Sequence, residues 1–428
     1  MEEIANQANQ KTFRHYLMFW SGQLFSLFGS MVVYFVIIWW VTEETQSPMY
    51  LAIASFLFII CQVIVLPIAG VLADRLNRKV IILVADSLQA VSTLILLVLF
   101  QMNLANIWIV FIFISIRSVF QAFHLPTVNS IIPIMVPKES LSRINGINFL
   151  FTGVVQILTP LIGATLMIFL PIKTILWVDL ITFCIAVIPL ILIEIPSVRN
   201  PKETVEKNSF IKEFKLGIKT IKVIPGLVIV IFYSMLLNFL IRPMDTLMPY
   251  YINVIHGGSA THLAIVLIFF QGGMIGGALI TSIKKTWNNK LKVIFGSVII
   301  TMIGYAIMAF APTGEFLIIG IGGATMGLLL PVINSLYQTI MQTVIPPDKM
   351  GRVTSMDNSL SMSISPIGTI ISGPLAEMLG VGNLFLYCAL LGIIVTVSVW
   401  SFTGIRTVDY ETKSELDVIT AKINSIKN

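Results

Sequence analysis

The chain has 428 residues, of which 56% are hydrophobic and only 11% are charged, and its formal net charge is +6. A soluble globular chain averages about 25% charged residues, so this composition excludes an ordinary soluble enzyme or binding module. The apolar residues fall in blocks of roughly 20 or more, the length that a helix needs to cross a bilayer. We therefore expect an all-α integral membrane protein.

The apolar blocks predict twelve transmembrane helices. The first block begins near Phe13 and continues to about residue 42. It is longer than the roughly 7–15 apolar residues of a cleavable signal peptide, so we expect it to remain as the first helix. The predicted spans are 13–42, 48–73, 79–101, 106–132, 140–169, 172–194, 225–252, 261–283, 290–312, 314–344, 349–378 and 382–405.

The positive charges predict the orientation of these spans. Almost all of the 27 lysine and arginine residues fall on the side that carries both termini. Cytoplasmic loops carry the excess of positive charge, so we expect a multi-pass protein of the cell (inner or plasma) membrane with both termini cytoplasmic. This one-sided distribution also accounts for the basic net charge, and it argues against a nucleic-acid partner.

A polar segment of about 30 residues divides the spans into six and six. The predicted domains are an N-terminal six-helix bundle (1–194), a cytoplasmic linker (195–224), a C-terminal six-helix bundle (225–405) and a cytoplasmic tail (406–428). The linker contains an apolar stripe beside a basic stripe at helical spacing, which predicts an amphipathic helix lying on the anionic inner leaflet of the lipid bilayer. A solvated linker helix is the alternative. The stripes are Ile211, Phe214, Ile218 and Ile221, and Lys212, Lys215, Lys219 and Lys222.

The two halves resemble each other in sequence. The stretch "HLPTVNSIIP" (124–133) has a counterpart in "LLPVINSLYQ" (329–338), and "VPKESLSRI" (136–144) has one in "IPPDKMGRV" (345–353). Both copies fall where the fourth span of a half leads into the fifth. Parallel six-helix repeats imply two pseudo-symmetric bundles, related by an axis along the membrane normal, with a binding site between them.

The stretch "GVLADRLNRKV" (70–80) gathers four charges between the second and third spans. It resembles the signature of the major facilitator superfamily in that loop. The resemblance implies a latch that holds the two halves together on the inner side; a turn with ordinary cytoplasmic arginines is the alternative. Asn77 replaces the second glycine of the signature, and we expect it to accept a left-handed backbone. The latch residues are Gly70, Asp74, Arg75, Arg78 and Lys79.

Within that superfamily the chain resembles the bacterial macrolide-efflux proteins over nearly its whole length. The stretches "SGQLFSL" (21–27), "IRSVFQAFHLP" (116–126) and "GRV" (351–353) carry the resemblance. It implies a secondary active transporter that exports amphiphilic, macrolide-like drugs by alternating access and is coupled to protons. An exporter of a siderophore or another endogenous metabolite is the alternative, and a membrane sensor without transport is a more remote one.

Several expected absences complete this interpretation. No nucleotide-binding motif and no metal-ligand spacing occurs in the sequence, so we expect neither an enzyme nor a bound cofactor or metal. We expect the protein to act as a monomer.

Ionisable residues inside the predicted spans are candidates for proton coupling, because burying a charge in a membrane is costly. Arg117 lies midway along the fourth span and resembles the arginine of the family's proton-antiporter motif; packing against a buried carboxylate is the alternative. Arginine stays protonated, so the proton carrier has to be another group. Asp86, Asp179 and Asp245 are the carboxylate candidates, and His124 is the next candidate.

Further residues are candidates for the cavity and its gating. Asp245 follows Arg242 by three residues, so the two can pair on one helix face. The stretch "ILTPLIGA" (157–164) resembles the antiporter motif of drug exporters, with simple helix packing as the alternative. We also expect Asp357 near the inner surface, where it could join the latch, and a solvated His256 near an outer loop. The cavity and gating candidates are Gln23, Arg242, Pro160 and Gly163.

Overall fold

The structure is a computed structural model that describes residues 10–196, 218–284, 286–410 and 412. At residues 71, 74, 75, 125, 138, 142, 347, 348, 352 and 362 it describes the helix but not the side chain. Within these residues the secondary structure is helical, with no β-strand.

Twelve long helices follow one another in the described residues, and their bounds agree with the predicted spans to within a few positions. They are α1 (Gln10–Thr45), α2 (Pro48–Arg75), α3 (Arg78–Gln101), α4 (Ile107–Met135), α5 (Leu141–Phe169), α6 (Trp177–Leu192), α7 (Leu227–Tyr250), α8 (Ala260–Ile283), α9 (Lys290–Ala309), α10 (Phe316–Val344), α11 (Pro347–Leu379) and α12 (Val381–Phe402).

Three details differ from the sequence-based predictions. The sixth predicted span is interrupted at Leu176, which separates a short helix, Ile172–Ile175, from α6. The last span ends at Phe402, and a 3₁₀ turn, Gly404–Thr407, follows it. Asn77 is not left-handed: its φ is −68°, and its side chain caps α3 by accepting a hydrogen bond from the Lys79 backbone N–H at 3.0 Å. The asparagine that replaces glycine at this position therefore serves as the N-cap of α3.

Eleven helices of the described residues are long and apolar enough to cross a membrane. They are all of the helices named above except α11, with the sixth counted from Ile172 to Leu192. In α11, residues 354–365 include five serines together with a threonine, an aspartate and an asparagine. Such hydroxyl and amide side chains suit a helix that faces a cavity or other helices better than one that faces lipid.

The chain divides into two compact units, Met1–Lys202 with Ser259–Ala264, and Glu203–Gly258 with Ile265–Asn428. In the first unit, α1 packs against α5 and α6, and α3 packs against α4 and α6. In the second, α7 packs against α11 and α12, and α9 packs against α10 and α12. The same pairings recur six helices later, as two copies of one repeat require. The predicted domain bounds remain a prediction, and most of the predicted amphipathic helix lies outside the described residues.

Helices α8 and α10 approach each other through glycines. A Cβ atom added to Gly277 would lie 2.0 Å from the carbonyl oxygen of Leu328, and one added to Gly273 would lie 2.3 Å from that of Ala324. Because backbone atoms occupy this space, only glycine fits at these two positions.

The segment that follows α12 returns to the beginning of α7. The hydroxyl of Tyr410 donates a hydrogen bond to the carbonyl oxygen of Pro225, and Ile405, which is fully buried, packs over Gly226. Gly226 has a φ of +74°, a conformation that suits glycine. The first and last elements of the second unit are therefore fastened together.

Candidate functional site

A buried ion pair joins four helices of the first unit. Arg117 Nη1 of α4 lies 2.5 Å from Asp179 Oδ2 of α6, and the two side chains are only 8% and 5% exposed. Thr93 Oγ1 of α3 donates to the same carboxylate oxygen at 2.6 Å, and Ser30 Oγ of α1 donates to Asp179 Oδ1 at 2.8 Å. Arg117 also hydrogen-bonds Thr93 Oγ1. Both oxygens of Asp179 thus have donors.

This arrangement holds a charge inside an apolar bundle. Hydrogen bonds between ionised partners are shorter and stronger than those between neutral groups. Removing one member of a buried pair leaves the other charge uncompensated, which costs more than the intact pair contributes. Arg117 and Asp179 therefore fix the relative positions of α1, α3, α4 and α6, whatever else they do.

A second cluster involves three of the same helices. His124 Nε2 of α4 hydrogen-bonds Gln23 Oε1 of α1 at 2.6 Å and lies 3.9 Å from Asp86 Oδ1 of α3. Asp86 is buried and also lies beside the Gln23 side chain. Its ion-pair partner among the described residues is His124, at a distance longer than a hydrogen bond.

The two clusters are related by a repeat of seven residues on both α3 and α4. Asp86 precedes Thr93 by seven positions, and Arg117 precedes His124 by seven positions. Seven residues are about two helical turns, or roughly 10 Å along a helix, and they bring side chains back to nearly the same face. One face of α4 therefore presents a tightly bonded ionisable pair and, two turns away, a loosely bonded one.

The predicted pairing of Arg242 with Asp245 is present in the second unit. Arg242 Nη1 lies 3.5 Å from Asp245 Oδ2, and the two side chains are 29% and 46% exposed. Arg242 also packs on α11, where a Cβ atom added to Gly368 would lie 3.0 Å from the Cβ atom of Arg242. The pair is much more open than the pair formed by Arg117 and Asp179.

The predicted latch residues lie at the junction of α2 and α3. Arg78 Nε donates to Ser130 Oγ of α4 at 2.8 Å. Lys79 Nζ donates to the carbonyl oxygens of Ile191 and Ile193, at 2.8 and 2.7 Å, and so caps the end of α6. These bonds are all within the first unit. Gly70 faces open space, and the side chains of Asp74 and Arg75 lie outside the described residues.

Pro160 and Gly163, the two gating candidates from the sequence, are both in α5. Pro160 is inside α5, and Gly163 faces Phe35 of α1, where an added Cβ atom would lie 2.7 Å from Phe35 Cδ1. Glycine at this position permits the close approach of α5 to α1. The contact accounts for packing, and it leaves a role in gating as a prediction.

Some buried polar residues were missed or misplaced by sequence reasoning. Ser30 and Thr93 carry no signal, because single hydroxyl residues are common in apolar helices. His256 is not solvated as expected: it is 5% exposed, its Nδ1 accepts a hydrogen bond from the Gly314 N–H at 3.2 Å, and its ring packs on Tyr251 at 4.4 Å between ring centroids. Burial lowers the pKa of His256 below the usual 6.5.

The described residues include no group of three or more His, Cys, Asp and Glu side chains that could hold a metal ion.

The chain is similar in sequence to known proteins. Residues 19–368 match the sequence model of the Major Facilitator Superfamily. The chain is also 30% identical over 391 residues to Macrolide efflux protein A of Streptococcus pyogenes, an alignment that covers 91% of this chain and 96% of the relative. The chain belongs to the major facilitator superfamily. The resemblance expected from its sequence motifs is thereby confirmed.

Other known proteins are less similar in sequence. The Multidrug efflux pump Tap of Mycolicibacterium fortuitum is 22% identical over 88% of this chain and 92% of its own. Among solved structures, the nucleoside transporter NupG matches with a TM-score of 0.69 at 14% identity, over 90% of this chain and 99% of its own. A bacterial homologue of the iron transporter ferroportin in the inward-facing state matches with a TM-score of 0.66, also at 14% identity, over 91% and 99%. These two structures share the fold.

Proposed function

We propose that this member of the superfamily is a secondary active transporter that exports amphiphilic, macrolide-like drugs by alternating access, driven by protons. The similarity to Macrolide efflux protein A over nine-tenths of the chain supports the choice of cargo. The two ionisable clusters on one face of α4 support the choice of driving ion. In this proposal the protein spans the cell membrane with both termini cytoplasmic, in two pseudo-symmetric six-helix bundles.

The observation that carries the proposal is the difference between the two buried carboxylates. Asp179 accepts hydrogen bonds from Ser30, Thr93 and Arg117 on its two oxygens. Among the described residues Asp86 lies beside the side chains of Gln23 and His124, and its histidine partner is 3.9 Å away. A group that gains and loses a proton in each cycle needs a partner that can approach and withdraw. We therefore assign proton binding to Asp86 and His124, and we assign to Arg117 and Asp179 a charge pair that anchors the four helices and on which coupling also depends.

The contact between Gln23 and His124 suggests that Gln23 also contributes to the transport cycle. Gln23 is on α1 and hydrogen-bonds His124 at 2.6 Å, so a shift of α1 relative to α4 changes the surroundings of the histidine. Asp86 on α3 and His124 on α4 can share a proton when they approach to hydrogen-bond distance. Movement of helices would then be linked to movement of a proton, which is the requirement for coupled transport.

The latch and the linker belong to this proposal as well. Arg78 and Lys79 are fastened to α4 and to the end of α6 within the first unit. These contacts would hold the loop in a fixed position, so that Asp74 and Arg75 at the end of α2 can reach a second partner. We assign residues 70–79 to the inner latch and residues 195–224 to the linker between the bundles.

The test is drug-driven proton movement in proteoliposomes that contain the purified protein. A macrolide supplied on one side should move protons across the membrane, and an imposed pH gradient should concentrate the drug. Asp86→Asn and His124→Gln should abolish concentration of the drug while leaving its downhill exchange largely intact. Glu377→Gln, which changes an exposed carboxylate of α11, is the matched control.

Three results would contradict parts of this assignment. If Asp86→Asn and His124→Gln both concentrate the drug as well as the control does, the proton carrier lies elsewhere, and Asp179 and Asp245 are the next groups to change. If a siderophore drives proton movement and the macrolide does not, the protein exports an endogenous metabolite. If no member of a panel of macrolides, dyes and siderophores moves, a sensor without transport becomes the better interpretation.

A further inference from the structure

The second unit contains a cavity of about 230 Å³ among α7, α9, α10 and α11, with Tyr410 of the tail segment at its edge. One water molecule occupies about 30 Å³ in the liquid, so this space could hold a molecule of several heavy atoms. All of the residues that line the cavity belong to the second unit.

A buried carboxylate that has an unsatisfied oxygen atom and no ion-pair partner among the described residues lines this cavity. Asp357 of α11 is 8% exposed, and its Oδ1 has no hydrogen-bond partner among the described residues. The Tyr337 side chain of α10 lies beside it and interacts with the Asp357 carboxyl group, but the Tyr337 hydroxyl makes no hydrogen bond of good geometry among the described residues. The ion pairs of the described residues do not include Asp357. An unpaired buried carboxylate is costly, so a cation at this position would be stabilised.

Besides Asp357, the cavity is lined by four aromatic residues, eight aliphatic residues and six residues with amide or hydroxyl side chains. Tyr233 and Phe295 stack with their ring centroids 4.9 Å apart, and both rings line the cavity together with that of Tyr410. The Tyr233 hydroxyl is bonded to Thr396 Oγ1 at 2.9 Å, and the Tyr410 hydroxyl is bonded to the Pro225 carbonyl. Because these hydroxyls are engaged elsewhere, both side chains contribute mainly their rings.

We propose that this cavity binds a small organic ammonium ion, with Asp357 as its counter-ion and the rings of Tyr233, Phe295 and Tyr337 against its alkyl groups. A cation held against aromatic faces in a desolvated site is attracted by the ring quadrupoles, and the carboxylate adds a charge partner. A neutral molecule would fill the same volume without compensating Asp357. This binding does not depend on whether the protein exports drugs.

The size and chemistry of the walls favour an organic cation over a metal ion. A calcium ion takes six to eight oxygen ligands at about 2.3–2.6 Å, and magnesium requires octahedral geometry at about 2.0–2.1 Å. Asp357 is the single carboxylate among the residues that line the cavity, so most of such a coordination shell would have to come from neutral groups. Alkyl groups on the nitrogen would fill the width that a bare ion leaves open.

The test is binding of choline to the full-length protein in lipid nanodiscs, measured by calorimetry. The comparison compound is the neutral analogue of choline in which carbon replaces the charged nitrogen, because it has the same shape. Choline should bind about tenfold more tightly than this analogue, as expected for a charge beside aromatic rings and a carboxylate. Asp357→Asn should remove the difference, and Glu377→Gln, on the same helix but outside the cavity, should keep it.

Several results would overturn the proposal. Equal affinity for choline and its neutral analogue would do so with the unaltered protein alone, so the test does not depend on the folding of any variant. Displacement of choline by sodium chloride at equal concentration would assign the site to an inorganic cation. Unchanged choline affinity in Asp357→Asn, together with unchanged affinity in Phe295→Leu, would place the binding outside this cavity.

Discussion

Arg117 and His124 are two turns apart on α4, and each lies near a different carboxylate, but at very different distances. Arg117 lies 2.5 Å from Asp179, whereas His124 lies 3.9 Å from Asp86. The tight pair has two further hydroxyl donors from α1 and α3. One face of a single helix therefore combines a fixed charge pair with an adjustable one.

Replacing Arg117 should separate the anchoring role from the coupling role. Arg117→Ala leaves Asp179 without its cation, and breaking a buried pair in this way typically costs about 3–5 kcal/mol of unfolding free energy. We expect a clearly lower melting temperature in detergent and loss of uphill transport, with drug binding weakened less. The double variant Arg117→Met with Asp179→Leu should recover much of the melting temperature but none of the uphill transport. Full recovery of both would show that the pair serves packing alone.

The approach of α8 to α10 should be intolerant of any side chain at Gly277. A Cβ atom there would lie 2.0 Å from the Leu328 carbonyl oxygen, and a backbone atom cannot move aside as a flexible side chain can. Gly277→Ala should therefore destabilise the protein by about 1–3 kcal/mol, the usual range for overpacking. Gly296→Ala is the matched control, because nothing lies within 4 Å of a Cβ atom at that position. Equal melting temperatures for the two variants would contradict the packing described for these helices.

His256 should make the stability of the second unit depend on pH. Burial lowers the pKa of His256 below the usual 6.5. At a pH between the folded and the unfolded pKa, the unfolded chain therefore binds a proton that the folded protein does not. Stability should then fall as the pH drops from about 7.5 to about 5.5. His256→Gln should show a smaller loss in a thermal melt over this interval. A pH dependence that is the same in both proteins would assign the effect to other groups.

The inner latch can be tested by neutralising Asp74. Asp74→Asn should impair drug export while leaving the amount of protein in the membrane unchanged, because the substitution keeps the size of the side chain and removes the charge. Arg78→Lys is a useful companion: it keeps the charge but loses the fixed geometry of the bond to Ser130. Export at the normal rate by purified, reconstituted Asp74→Asn would remove Asp74 from the latch.

The helices could be predicted well from the sequence, because long apolar blocks directly indicate helices of membrane-spanning length. Sequence reasoning could also pair Arg242 with Asp245, since both are on one helix and the spacing alone brings them together. It could not pair Arg117 with Asp179, 62 residues apart, because that contact depends on which helices pack together and in which register. Ser30 and Thr93 were missed for the same reason. The error over His256 has another cause, since a histidine near a loop can be covered by rings from distant helices.

The contact between Tyr410 and Pro225 has a consequence for biosynthesis. The two residues are separated by 185 positions, and they join the segment after the last helix of the second unit to the residues before its first. The ribosome synthesises α7 long before it reaches Tyr410. Until then the N-terminal end of α7 lacks the contact that Tyr410 supplies. Contacts between such distant positions form late. Completion of the second unit thus has to wait until Tyr410 has been synthesised, and a chain that stops before Ile405 should be recognised by quality-control proteases although all twelve long helices are present.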